Sequence, residues 1–137
     1  MTNKGKHFYG YARVNSVGIA IVALGSATEL PVFSAPFRCR IKRCAIIPAS
    51  AITGAATHNF GVRYKNKGSG GSGTGVIATK TFSNGINASA FDDTDLGAIT
   101  TTNNLLSEKD TVTFEKFENG SGLEMPALTA VVEYVRA

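Results

Sequence analysis

The side chains in this 137-residue sequence whose types could carry chemistry are two cysteines, two histidines, a short run of aspartates and one glycine-rich stretch. Cys39 and Cys44 lie in the segment Phe37 to Ile47, which reads as a single strand. At ~3.3 Å per residue they sit about 16 Å apart, beyond the roughly 7 Å a disulfide tolerates. Arg38, Arg40, Lys42 and Arg43 flank them and would favour a thiolate, but no His or acid stands nearby in sequence to complete a nucleophilic site. Two unpaired thiols suit a protein matured in a reducing cytosol. His7 and His58 are far apart and have no Cys, Asp or Glu at ligand spacing, whereas zinc needs a cluster of ligands. Asp92, Asp93 and Asp95 offer carboxylates to a hard cation, but the glycine and distal glutamate of a calcium loop are missing, and the run reads as a solvated turn. Gly68 to Gly73 (GSGGSG) matches GxGxxG in form. Dinucleotide binding needs that run to open a helix; here it leads into Val76-Ile77-Ala78-Thr79, another strand, and no P-loop lysine follows. No Ser/His/Asp or Cys/His set is nominated. The expectation is a protein that is not an enzyme, with no cofactor, no metal and no small-molecule substrate.

The charges are more informative. Arg38, Arg40 and Lys42 alternate with Phe37, Cys39 and Ile41, and Arg63, Lys65 and Lys67 alternate around Phe60, Val62 and Tyr64. Period-two alternation puts each basic trio on one face of its strand and the apolar residues on the other. Two such rows directly opposite one another would repel, so they lie in different sheets or face an acidic partner. Sequence-tolerant nucleic-acid sites interleave exposed aromatics with the cations; here the aromatics point inward, which favours an acidic protein surface. Residues 1–80 carry eleven Lys or Arg and a single acid, Glu29, whereas residues 81–137 carry three basic residues and nine acids. That asymmetry admits a polyanionic partner, a self-complementary surface, or neutralisation of one half by the other inside a subunit.

The elements that must position these rows are strands. A hydrophobic content of 43% with 18% charge, fifteen glycines and short runs of Val, Ile and Phe describe a globular all-β chain of one-domain size. Candidate strands are Phe8–Val14, Val17–Leu24 (separated by Asn15-Ser16), Leu30–Phe33, Phe37–Ile47 with a bulge at Arg43, Phe60 to Lys67, Val76–Phe82, a weaker Phe91–Ile99, Thr111–Phe117 and Leu128–Val135, and Leu105-Leu106 reads as a short apolar plug. Asn84-Gly85, Glu108-Lys109-Asp110 and Asn119-Gly120 mark turns. Eight or nine strands at this spacing predict an antiparallel β-sandwich or barrel. The apolar run Val17–Leu24 is too short to span a bilayer. It imitates a signal peptide only faintly, and the sequons at Asn87 and Asn119 read as turns.

Read together, APFRCRIKRCAIIPA (35–49), HNFGVRYKNKGSGGSGTGVIATKTFSNGINA (58–88) and DTVTFEKFENGSGLEMPALTAVVEY (110–134) resemble the small β-sandwich proteins of tailed bacteriophages that decorate and cement the head shell. The features that carry the resemblance are the Asn66-Lys67-Gly68 loop, the Asn119-Gly120-Ser121-Gly122 turn and the closing Pro126-containing strand. The resemblance implies a jelly-roll-like sandwich over residues 1–137 with an extended N-terminal arm (1–7), assembly as a homotrimer, and contact with the major capsid protein on the exterior of a virion after synthesis in the host cytoplasm. It assigns partner binding to Lys4, Lys6, His7, Phe8 and Tyr9 of the arm, to which the rows Arg38, Arg40, Lys42 and Arg63, Lys65, Lys67 are added by the charge pattern. No nucleic acid and no membrane partner is expected. The rival expectations are a carbohydrate-binding jelly-roll module at a fibre tip, against which the absence of Trp counts, and a structural tail or baseplate subunit.

Overall fold

The computed structural model describes residues 11–137. It contains nine strands: β1 (Arg13–Ile19), β2 (Thr28–Ser34), β3 (Cys39–Pro48), β4 (Asn59–Gly68), β5 (Gly75–Thr81), β6 (Thr94–Asp95), β7 (Leu105–Leu106), β8 (Thr111–Asn119) and β9 (Leu128–Arg136). There is no helix among the described residues. Sheet one runs β1-β9-β3-β6 with β7 also on β3, and sheet two runs β2-β8-β4-β5. All the pairings are antiparallel. The pairs β1–β9, β2–β8, β3 with β6 and β7, and β4–β5 are nested, so the chain is a long hairpin whose tip is the glycine-rich connection between β4 and β5. Successive pairs of that hairpin fall alternately on the two sheets. This winding is a jelly roll.

The alternation read from the sequence sets the phase of the central strands. Cys39 and Ile41 on β3, and Phe60, Val62 and Tyr64 on β4, are buried, while the intervening cations point away from the core. The two inner faces meet in one cluster that includes Ile41, Ile46, Phe60, Tyr64, Ile77, Phe82, Leu106 and Phe114. Tyr64 meets Phe114 edge-on at 5.5 Å and Phe60 tilts against Phe82 at 5.2 Å. Burying such a side chain stabilises by roughly 1.5–3 kcal/mol. Tyr64 also joins the sheets through polar contacts. Its hydroxyl donates to the Ala45 carbonyl (2.6 Å) and accepts from the Val131 amide (3.1 Å), two residues paired across β3 and β9.

Several elements depart from the sequence reading. Asn15-Ser16 does not break the first strand: β1 passes through it because the Asn15 side-chain amide donates to the Val32 carbonyl on β2 (2.8 Å). After Ile19 the apolar run leaves the sheet, and Ile21 and Leu24 stand exposed. The β3 bulge falls between Ile41 and Arg43, at Lys42 rather than at Arg43. Of the candidate strand Phe91–Ile99, Thr94–Asp95 alone pairs. Pro126 lies ahead of β9, where a missing N–H removes nothing from the ladder. The arm and Phe8–Gly10 lie outside the described residues.

Candidate functional site

Of the side chains that could carry chemistry, Cys39, Cys44, His58, Asp93 and Asp95 are engaged in structure, and His7 lies outside the described residues. Cys39 and Cys44 are unpaired and buried. Burial pushes their thiols up to about 11 and about 12, so the flanking cations do not produce a reactive thiolate as their sequence positions suggest. Both flanks alternate away from the core while the sulfurs face into it. The Asp93 carboxylate pairs with Arg43, and Asp95 accepts from the Arg43 Nε at 3.2 Å. The hydrogen bond from Arg43 to Asp93 is the first cause raising the guanidinium pKa. His58 Nδ1 accepts from the Ser121 amide (2.9 Å) at the Asn119-Gly120 turn. Among the described residues no group of three or more His, Cys, Asp or Glu is placed to hold a metal.

The two basic rows lie in different sheets and meet different neighbours. On the outer face of sheet two, register sets Arg63 of β4 opposite Glu115 of β8. The two side chains pair, and Lys65 reaches the same carboxylate at 3.1 Å. Glu29 of β2 pairs with Lys67 at 3.3 Å and lies 3.9 Å from Lys65. Its carboxyl is held below the usual range, first by a hydrogen bond from the Thr113 hydroxyl (2.6 Å) and then by Lys67. Arg63 also lies 4.4 Å from the centroid of Phe117. Each cation of the β4 row is therefore paired within the subunit with a carboxylate from a strand distant in sequence.

On sheet one, Arg38 and Lys42 are exposed and Arg40 is half-buried. Arg40 stands opposite Val135 on β9 and Leu105 on β7, and its guanidinium donates to the Asn104 side-chain oxygen at 3.4 Å. Among the described residues no carboxylate forms an ion pair with Arg38, Arg40 or Lys42. Beside them Arg136 and Arg13 lie 3.8 and 5.1 Å from the centroid of Phe37, again without a paired carboxylate. Of the partner residues expected from the sequence, Arg63, Lys65 and Lys67 share one face, Arg38, Arg40 and Lys42 share another, and Lys4, Lys6, His7, Phe8 and Tyr9 lie outside the described residues.

Three features escaped the sequence reading. Arg13 and Arg136 come from opposite ends of the chain, and only the pairing of β1 with β9 brings them to Phe37. Lys116 is fully buried: its ammonium pairs with Glu118 (2.8 Å) and donates to the carbonyls of Ser26 (2.7 Å) and Ala23 (3.3 Å), tying the β1–β2 loop to β8. Phe91 is 80% exposed with φ of 62°, a backbone conformation that bulky side chains rarely adopt. Its amide is pinned to the Pro48 carbonyl at 2.7 Å. The ring borders an open cleft of about 430 Å³ whose other walls include Ile19, Ile47, Leu128 and Thr129. Phe91 sits in a stretch without alternation, so no periodicity could assign it to the surface.

No protein-family model matches the chain, and no curated protein matches it. Among solved structures it is similar to the VP2 subviral particle of infectious bursal disease virus, at 13% identity and a TM-score of 0.48 over 93% of this chain and 34% of that one. The structure of the Gx strain of that virus is similar at 14% identity and a TM-score of 0.47, over 94% of this chain and 34% of that chain. The Gt strain gives 12% identity and 0.43, over 93% and 33%. The chain spans about a third of the length of these solved chains. Likeness at this level says nothing of what the chain does.

Proposed function

We propose that this chain is a non-enzymatic structural protein that binds an acidic protein surface, as a decoration or cement trimer on the exterior of a phage capsid. The observation that carries the reading is the row of Arg38, Arg40 and Lys42, without an ion pair among the described residues, compared with a second basic row whose cations are each paired internally. Cations without carboxylate partners on a strand are placed to pair with an acidic surface without breaking an internal ion pair. The Cys39 and Cys44 thiols are buried and Asp93 and Asp95 are held by Arg43, so these groups serve the fold. The capsid as partner and the trimer come from the resemblance of the sequence to head-decoration proteins, which also adds Lys4, Lys6, His7, Phe8 and Tyr9 to the contact. Arg63, Lys65 and Lys67 keep an excess of one positive charge over Glu29 and Glu115 and take a secondary part.

One observation favours the carbohydrate-binding alternative: Phe91 is an exposed aromatic platform with a carboxylate, Asp92, beside it. Against it, Thr129 supplies the one polar side chain lining the neighbouring cleft, and sugar sites need several. Cosedimentation with purified phage heads that lack this chain tests the proposal. Saturable binding that weakens as salt screens the contact is expected. Absence of binding at low salt, together with a rise in melting temperature on adding glycans, would replace it with the sugar reading.

A further inference from the structure

Sheet two contains a complete three-part contact: Arg63 lies over the Phe117 ring and pairs with Glu115. Two other places carry the same parts incomplete. Around Phe37, Arg13 and Arg136 supply guanidinium groups and a ring but no carboxylate. Their distances to one centroid, 5.1 and 3.8 Å, hold the two like charges within about one Debye length of each other, so their repulsion is poorly screened. At Phe91–Asp92 there is a ring and a carboxylate but no cation: among the described residues Asp92 has no ion-pair partner, and the Phe91 N–H donates a hydrogen bond to the Pro48 carbonyl beside the cleft.

The two halves cannot meet within a subunit. Arg136 is paired with Cys39 and Phe91 bonds to Pro48, the first and last residues of the ten-residue β3, roughly 30 Å apart along an extended strand. We infer that they are the two sides of one contact between copies of this chain: the Phe37–arginine end of one copy docks on the Phe91–Asp92 cleft of the next. The guanidinium of Arg13 or Arg136 then stacks on Phe91 and pairs with Asp92, as Arg63 does with Phe117 and Glu115. The surplus of carboxylates over Arg43 at Asp93, Asp95 and Glu133 adds attraction for the arriving arginines. Because the contacting surfaces differ, the association is head-to-tail, the kind that closes into a ring when the rotation between copies permits. This deepens the self-association in the proposed function and rests on it.

Light scattering on the full chain at low and high salt provides the test, with circular dichroism as the folding control. Expected for the wild type is a multiple of the 14.4 kDa monomer that falls as salt rises. Phe91→Gly, which puts glycine at a φ that suits it, should be folded and monomeric. Asp92→Arg alone and Arg13→Glu with Arg136→Glu should each be monomeric, and the three charge changes together should restore the multiple. A monomeric wild type at low salt, single-side variants of wild-type mass, or a folded combined variant that stays monomeric would each overturn the contact. Head binding measured on the same samples separates the two ideas. A monomeric wild type that still binds heads overturns the contact and the trimer, and leaves the binding to heads standing. A salt-sensitive multimer that ignores heads supports the contact and overturns the decoration reading.

Discussion

The outer face of sheet two and the outer row of β3 begin from the same pattern, three cations alternating with buried apolar residues, and end in opposite states. Arg63 meets Glu115 because β8 lies beside β4 in that register. Arg40 meets Val135 and Leu105 because β9 and β7 lie beside β3. Alternation decides which face a charge occupies; the strand that arrives from elsewhere in the chain decides whether the charge is satisfied there. One face is a closed network that contributes to folding, and the other holds its charges for a partner.

If that contrast is real, substitutions at the two regions should separate stability from binding. The largest effect lies at the end of sheet two. Lys116→Met leaves the Glu118 carboxylate without its cation and frees the Ala23 and Ser26 carbonyls, and should cost about 3–5 kcal/mol in denaturant unfolding. Glu115→Gln, which removes the charge shared by Arg63 and Lys65, should cost about 1 kcal/mol, the half-exposed position keeping it well below the cost of a buried pair. The pH dependence of the same face has a definite sign. Glu29 has a depressed pKa, so its stabilisation is present above the unfolded carboxylate value and is lost as pH falls through the folded one. Glu29→Gln should therefore be less stable than wild type at neutral pH and match it in acid. At the other region, Phe91→Gly should leave unfolding stability unchanged or raise it by up to about 1 kcal/mol, since it relieves a left-handed backbone at an exposed site. Smallest of all, Arg40→Glu with Lys42→Glu should shift stability by no more than about 0.5 kcal/mol, because no carboxylate loses a partner. A large loss there would mean that the row is structural after all.

Much of the fold was legible in the sequence because strands announce themselves locally. The phase of Cys39 and Ile41, and of Phe60, Val62 and Tyr64, follows from alternation, and the turns at Asn84-Gly85 and Asn119-Gly120 from residues that tolerate the left-handed region. Repulsion between the basic rows left two outcomes open, different sheets or an acidic partner, and the structure puts the rows in different sheets. What stayed hidden depends on pairings between distant segments. The closure of the β4 row needs Glu29 and Glu115, and the gathering of Arg13 and Arg136 at Phe37 needs the first and last strands side by side. Lys116 continues the outward-looking alternation Glu115-Lys116-Phe117 in type but is the buried member, a lysine on the core face accepted because Glu118 and two carbonyls surround its ammonium. Asn15 misled for the same reason: its side chain finds a carbonyl on the facing sheet that no local rule foresees.

The contrast between the two rows is tested most directly by cosedimentation with purified phage heads lacking this chain, comparing Arg40→Glu with Lys42→Glu against Glu115→Gln at equal foldedness. Expected is at least a tenfold loss of affinity for the β3 pair, roughly 1.4 kcal/mol, and binding close to wild type for Glu115→Gln. Wild-type binding by the β3 pair, or a loss confined to Glu115→Gln, would contradict the assignment of the open row as the docking surface.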